Sequence, residues 1–377
     1  MLQDPNFDFH QLAQDIKRWG KELGFAQVAI TDTDVNAHQQ SYRDWLAKNY
    51  HGQMAFMQRN QELRADPTKL HPNTLRIISV RMNYLIPQAG FAATLSDPQR
   101  AYISRYALGR DYHKLLRKRL KQLGEQIKTV YQDLDARPFV DSAPIMERPI
   151  AEKAGLGWTG KHTLLINQDE GSWFFLGELL VNLPLPVDQP VSTNCGNCVA
   201  CMTQCPTQAI IAPYQVDAKR CISYLTIEND GPIPVEFRSL MGNRIYGCDD
   251  CQLVCPWNRE SSLTKEADFT ARHELDKVTL LELWSWDEAT FLKRTEGSPI
   301  RRIGYQRWQR NIAVALGNTP ASARVSEALR TNRDNAEPLV QEHIDWALGQ
   351  QQQKLGQMTR QTHRLIRIIE KGLARDA

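Results

Sequence analysis

A mixed α/β domain, a small cysteine-rich module and an all-helical tail make up the fold class that these 377 residues predict. Three observations carry it. Helical and β-like periodicities alternate through residues 1–190, all eight cysteines fall between Cys195 and Cys255, and the chain beyond them is polar with apolar residues at helical spacing. The predicted parts are therefore residues 1–190, 191–262 and 263–377.

Residues 16–23 repeat apolar positions at helical spacing, and residues 26–30 (AQVAI) follow as a short β-like run. Residues 77–86 (IISVRMNYLI) are rich in β-branched side chains and predict a strand. Residues 112–133 predict a long basic amphipathic helix, with Leu115, Leu116, Leu120, Leu123 and Ile127 on its apolar face. Residues 163–167 and 173–182 predict two strands separated by the turn Asp169-Glu170-Gly171, a hairpin-like pair suited to an antiparallel or mixed sheet. The proline-rich stretch Pro184 to Pro190 marks the first boundary. In the tail, NIAVALG over residues 311–317 returns as HIDWALG over 343–349, shifted by 32 positions. That period predicts stacked helical pairs of HEAT-like type; the alternative is two unrelated amphipathic helices.

Hydrophobic content of 42% and charged content of 24% are ordinary for a globular chain with a sizeable core. A net charge of +3 permits a nucleic-acid partner without requiring one. Residues 1–12 show no secretory pattern, and no apolar run approaches membrane-spanning length, so a cytoplasmic protein is expected. Thiols stay reduced there, which makes the cysteines metal or redox ligands rather than disulfide partners.

Cys195, Cys198, Cys201 and Cys205 form C-x2-C-x2-C-x3-C followed by Pro206, the bacterial ferredoxin run. In two-cluster ferredoxins the fourth cysteine of such a run ligates the other cluster. Cys248, Cys251 and Cys255 form a second run, ending at Pro256, and Cys221 is the remaining cysteine. The swap then predicts two [4Fe–4S] clusters, one on Cys195, Cys198, Cys201 and Cys255, the other on Cys205, Cys221, Cys248 and Cys251. Structural zinc is the competing assignment, but all-cysteine zinc sites usually pair two C-x2-C knuckles, which this spacing does not give.

Two clusters form an electron wire that needs a terminus. No G-x-G-x-x-G follows a strand, the glycine-rich residues 157–163 lack phosphate-loop spacing, and Asp111 to Leu116 falls short of the D-x-H-x-x-G cobalamin motif. Residue chemistry alone leaves the second cofactor open.

Three segments carry a resemblance: residues 249–258 (DDCQLVCPWN), residues 104–113 (SRYALGRDYH), and the block from Asp141-Ser142-Ala143-Pro144 through Glu147-Arg148 to Gly160-Lys161-His162-Thr163. Together they resemble the epoxyqueuosine reductases over most of residues 1–260. The resemblance implies cobalamin beside the two clusters and a nitroreductase-like α+β scaffold for the cobalamin domain. It also implies reduction of epoxyqueuosine to queuosine at the wobble position of tRNA, the last step of queuosine synthesis. Asp141 matches the family's proton donor. An apolar setting (Phe139, Val140, Ala143, Pro144, Ile145) is expected to raise its pKa and keep it protonated; a helix N-cap is the plainer role. Arg64 lies in a segment the family uses near the corrin, and Cys248 and Asp249 where a cluster meets it. Leu165 and Leu176 suit a corrin-facing wall or simple core.

Tyr106, Asp111, Tyr112 and His113 are candidates for substrate contact or structural polar groups; Lys161 and His162 are candidates for tRNA phosphate or cofactor contact. Basic clusters for tRNA are Arg117, Lys118, Arg119 and Lys121, and Arg301, Arg302, Arg307 and Arg310 around Tyr305 and Trp308. Solvated helix faces are the alternative. An unidentified low-potential electron donor and a monomeric state complete the expectations. The rival functions are a reductive dehalogenase-like reductase of a small molecule, a flavin reductase with a ferredoxin insert, and an iron–sulfur electron carrier. A twin-arginine leader is missing for the first, and 190 residues before the clusters exceed what a carrier needs.

Overall fold

Apolar runs in the first half of the chain become one antiparallel sheet in the computed structural model, which describes residues 7–87, 89–353 and 359–372. Residues 1–6 of the N-terminal stretch considered above lie outside them. The strand order is Gln27–Thr31, Arg76–Asn83, Phe174–Val181, Ala136–Phe139. The two eight-residue central strands are buried on both faces, so they read as continuous apolar runs rather than as alternation. Ser79 stands opposite Glu178 in their register.

Helices cover both faces. Phe9–Glu22 and Tyr112–Val130 lie on one; Leu116, Leu120, Leu123 and Ile127 of the latter are fully buried. Each such side chain contributes roughly 1.5–3 kcal/mol by leaving water. Asp111 caps the Tyr112–Val130 helix by accepting from the His113 N–H at 3.0 Å. The short helix Glu147–Lys153 lies on the other face, with Ile150 packed on Ile77 and Leu180.

The predicted hairpin is not a ladder. Leu165–Ile166 pairs with Trp158–Thr159, and only the bridge between Asn167 and Gly171 links it toward the next strand. Glycine explains the choice: a side chain at Gly157 would strike the Ile166 carbonyl at 2.1 Å, so only glycine lets these segments close.

The tail and the rest of the chain share cores. Ala101, Ile103, Ala107 and Leu108 pack with Tyr246, Trp284, Trp308 and Ile312, and Arg244–Tyr246 pairs in parallel with Tyr102–Ile103. The two repeat segments lie on the helices Gly304–Gly317 and Pro338–Gln352, which pack on each other. A Cβ at Gly317 would meet Ala347 Cα at 2.9 Å, whereas nothing lies near Gly349. The matching glycines are thus not in equivalent environments. Among the described residues no helix is long and apolar enough to cross a membrane.

Candidate active site and cluster module

The sheet and the Tyr112–Val130 helix bring a set of acids and a base to one place. Asp141 follows the edge strand Ala136–Phe139 and adopts a left-handed backbone, φ 52°, costly for a residue with a Cβ. Its Oδ2 accepts from Tyr112 Oη at 2.5 Å and lies 3.3 Å from His113 Nε2. His113 Nδ1 meets Asp111 Oδ1 at 2.6 Å, so the imidazole bridges two carboxylates. Phe175 stacks on Tyr112 with ring centroids 3.8 Å apart. Asp141 is densely surrounded by protein, yet 54% of its side chain meets solvent.

The electrostatics correct one expectation. Burial pushes the Asp141 carboxyl up, but hydrogen bonds from His113 and Tyr112 outweigh it and hold the carboxyl below its ordinary value. Burial likewise lowers His113, while Asp111 and Asp141 raise it to about 9. The site therefore stores its proton on His113 beside an ionised Asp141, and not on a carboxylic acid in an apolar pocket. Nor is Asp141 a helix cap: the helix Glu147–Lys153 begins after Met146, with no side-chain cap.

A second acid pair lies behind the loop. Glu147 Oε1 accepts from the Asp141 backbone N–H at 2.6 Å. Glu147 acts electrostatically on Glu178, which is fully buried and accepts from Ser79 Oγ at 3.4 Å. Two carboxyls so close share a proton. Burial, then Asp141, push Glu147 up to about 7; burial and Glu147 push Glu178 well above its ordinary value. Sequence reasoning missed this pair, although a lone Glu inside the apolar run FFLGELLV was its signal. Arg64 braces the far end of the same loop, donating to the Ile145 carbonyl at 3.4 Å and to Phe56 at 3.3 Å.

Leu165 is buried with Ala151, Ala154, Leu156 and Phe174, and Leu176 packs at the edge of this cluster. Asp249 sits in the turn after Cys248. Its carboxylate is 1% exposed and accepts from Tyr102 Oη, Ser104 Oγ and Arg105 N at 2.8, 2.5 and 3.0 Å. Three donors inside the protein use up its oxygens, so it anchors the Cys248 turn. Asp250 is gripped by Arg244 through bonds of 2.7 and 2.8 Å, with both side chains buried.

Cys195, Cys198, Cys201 and Cys255 line one small recess with Lys161 and His162. Cys251 lies within electrostatic reach of Cys221 and Cys205, and also of Cys201; Cys248 lies within reach of Cys251. Burial comes first in raising the thiols of Cys201, Cys221, Cys248, Cys251 and Cys255. Among the described residues no three of the thiols converge to single-ion distance; they line walls. The donor sets are all-thiol, four to a group, and this fits two [4Fe–4S] clusters. Asn258 fastens the module to the sheet domain, accepting from Ser172 N at 2.7 Å and donating to the Gln252 carbonyl at 2.7 Å.

Part of the expected basic surface is structural. Arg119 pairs with Glu266 and donates to the Leu23 carbonyl. Arg307 is tied to Asp230 and the Ile227 carbonyl. Arg310 and Trp308 are fully buried, the former donating to carbonyls of Leu225, Asn229 and Gly231. The Tyr305 hydroxyl is spent on the Trp286 carbonyl. Arg117, Lys118, Lys121, Arg301 and Arg302 stay exposed. Arg117 reaches Ser142 beside Asp141 at 3.3 Å, and Arg302, paired with Glu228, acts electrostatically on Asp141.

A double-cluster cysteine module in one chain with a bridged acid–base cluster is the layout of an iron–sulfur oxidoreductase. Residues 194–258 match the family model described as 4Fe-4S double cluster binding domain, which displaces the zinc alternative, and residues 64–142 match epoxyqueuosine reductase QueG, DUF1730. The chain is 64% identical over 375 residues to the epoxyqueuosine reductase of Salmonella typhimurium, covering 98% of this chain and 97% of that one. It is 61% identical to that of Escherichia coli K12, covering 98% and 99%. Among solved structures, an epoxyqueuosine reductase with an epoxyqueuosine-modified tRNA-Tyr stem loop superposes with TM-score 0.84 at 26% identity, covering 96% of this chain and all of that one. A Bacillus subtilis epoxyqueuosine reductase with its catalytic loop swung out of the active site gives 0.84 at 26%, covering 98% and 100%. The chain belongs to the epoxyqueuosine reductase family, the oxidoreductases of this tRNA modification.

Proposed function

We propose that this chain reduces epoxyqueuosine at the wobble position of tRNA to queuosine, with electrons drawn through two [4Fe–4S] clusters to cobalamin. The observation that carries the reading is the Asp111–His113–Asp141–Tyr112 constellation, a proton store whose Asp141 side chain is half open to solvent. The relative with a modified stem loop supports the substrate.

Removing the epoxide oxygen takes two electrons and two protons: both C–O bonds break, a C=C bond forms, and the oxygen leaves as water. When bound, the clusters supply electrons singly, and reduced cobalt supplies the nucleophilic or electron-donating chemistry. Cys195, Cys198, Cys201 and Cys255 would hold one cluster; Cys205, Cys221, Cys248 and Cys251 the other. Arg64 and the Leu165–Leu176 wall belong on the corrin side.

The chain's own residues manage the protons. The ionised Asp141 takes the proton stored on His113 Nε2 and passes it from Oδ2 to the leaving oxygen; the second proton comes from solvent, which reaches the half-exposed Asp141 side chain. Asp111 fixes the imidazole at Nδ1 and stabilises its charge. Tyr112 orients the Asp141 carboxylate, and Glu147 holds the loop by the Asp141 N–H. The relative whose loop swings out makes such a fastening functional: the loop must be held for chemistry and released for exchange. The nitroreductase-like assignment rests on the helix-covered antiparallel sheet. Residues 263–377 serve as the HEAT-like helical part, with Arg117, Arg301 and Arg302 as phosphate contacts at the rim.

The test is anaerobic incubation with cobalamin, a low-potential reductant and tRNA bearing epoxyqueuosine, followed by nucleoside mass spectrometry. A cobalamin-dependent product lighter by one oxygen is expected. No conversion, with about eight irons per chain and cobalamin bound, would move the substrate elsewhere.

A further inference from the structure

The recess lined by Cys195, Cys198, Cys201 and Cys255 holds two groups that the proton chemistry does not use. Lys161 is 9% exposed. Its ammonium donates to the carbonyls of Gly196 and Cys198 at 2.7 and 2.9 Å, both on the loop that carries the first cysteines. Among the described residues these carbonyls are its only hydrogen-bond partners, and no carboxylate pairs with it. A buried cation is costly without a counter-charge, and carbonyl dipoles do not neutralise one.

His162 is the second group, 4% exposed. Its Nδ1 accepts from the Leu164 N–H at 3.1 Å. A ring that accepts at Nδ1 is neutral and carries its proton on Nε2. That Nε2–H is buried and without a partner among the described residues. Gly160 makes room for the ring: a Cβ there would lie 2.8 Å from His162 Cε1. The sequence thus gives up a side chain to seat a donor that the protein leaves unsatisfied. Unpaired buried donors are rare enough to require an account.

Both anomalies have one solution. A cubane on four thiolates is a net anion with sulfur acceptors. We infer that Lys161 is the built-in counter-ion of the cluster held by Cys195, Cys198, Cys201 and Cys255, that His162 donates Nε2–H to a sulfur of it, and that together they raise its reduction potential. This rests on the cluster assignment proposed above. Nearby positive charge and hydrogen bonds to sulfur both stabilise the reduced form, which carries one more negative charge. The consequence is directional: the cluster flanked by Lys161 accepts an electron readily from an outside donor.

The experiment is an EPR-monitored redox titration of the anaerobically reconstituted full chain, beside iron quantitation, for wild type, Lys161→Met, Lys161→Arg and His162→Phe. About eight irons in wild type are required by the cluster reading; about four would defeat that reading and not this inference alone. With clusters loaded, Lys161→Met is expected to lower one midpoint and leave the other in place. At a fixed potential its reduced-to-oxidised ratio should fall about tenfold, ~59 mV for one electron. His162→Phe should shift the same midpoint in the same direction, and Lys161→Arg should restore it. Unchanged midpoints in both Lys161→Met and His162→Phe would overturn the inference. If Lys161→Met loses one cluster, recovery of full iron and the wild-type midpoint in Lys161→Arg supports the counter-ion role, and failure to recover overturns it.

Discussion

Tyr112 donates its phenol hydrogen to Asp141 Oδ2 at 2.5 Å, and the next residue in the chain, His113, reaches the same oxygen with Nε2 at 3.3 Å. Adjacent residues rarely face one target on a helix. These do so because they open the Tyr112–Val130 helix, directly after its cap Asp111, where side chains fan outward from the first turn. One carboxylate oxygen is thereby held by two donors, and the proton balance among them is the chemistry of the site.

His113 gives the first prediction. Its folded pKa of about 9 lies above its ordinary 6.5, with Asp111 and Asp141 overcoming burial. A raised base contributes stability that is fully present below 6.5 and lost as pH rises through about 9. The same loss empties the proton store. The rate of epoxide reduction should therefore fall as pH rises through about 9. His113→Gln should remove that limb and slow turnover about 100-fold; kcat measured across pH 6–10 checks both.

Glu178 gives the second. Both it and Glu147 have raised folded pKa values, so the folded state holds protons that the unfolded chain has released, and stability falls as pH rises from 4.5 through about 7. Glu178→Gln removes the acid while keeping an oxygen for Ser79. It should raise stability at pH 8 by on the order of 2 kcal/mol and flatten the slope between pH 5 and 8. Thermal unfolding at the two pH values reads this out.

What the sequence disclosed follows from chemistry tied to spacing. The cysteine runs are read directly because a cubane dictates the intervals, and the Tyr112–Val130 helix because one face must be apolar. What stayed hidden depends on distant pairing. Nothing near Asp249 announces Tyr102 and Ser104, nearly 150 residues away, as its partners. Arg310 looks like a surface cation until three carbonyls of one loop region surround it. Asp141 illustrates the same limit: its apolar sequence neighbours predict an elevated acid, but the side chains that decide its charge come from a helix some thirty residues earlier.

The two kinds of arginine separate in a third prediction. Arg117→Ala and Arg301→Ala, both exposed, should weaken tRNA binding and each lower the salt slope by about 1, with little change in stability. Arg310→Ala should instead cost about 3 kcal/mol, because buried carbonyls lose their donor. Filter binding across salt concentrations and chemical denaturation distinguish them. Truncating the chain at residue 263 is a poorer probe, since it strips Trp308 and Ile312 from the core around Ile103 and Leu108.

The central claim is that Asp141 passes the proton to the leaving oxygen. The direct measurement is single-turnover conversion of epoxyqueuosine tRNA by anaerobic Asp141→Asn, with iron and bound cobalamin quantified in the same sample. An amide keeps the shape and cannot transfer the proton, so clusters and cobalamin should match wild type while conversion drops at least about 100-fold. Wild-type conversion by the fully loaded variant would contradict the account.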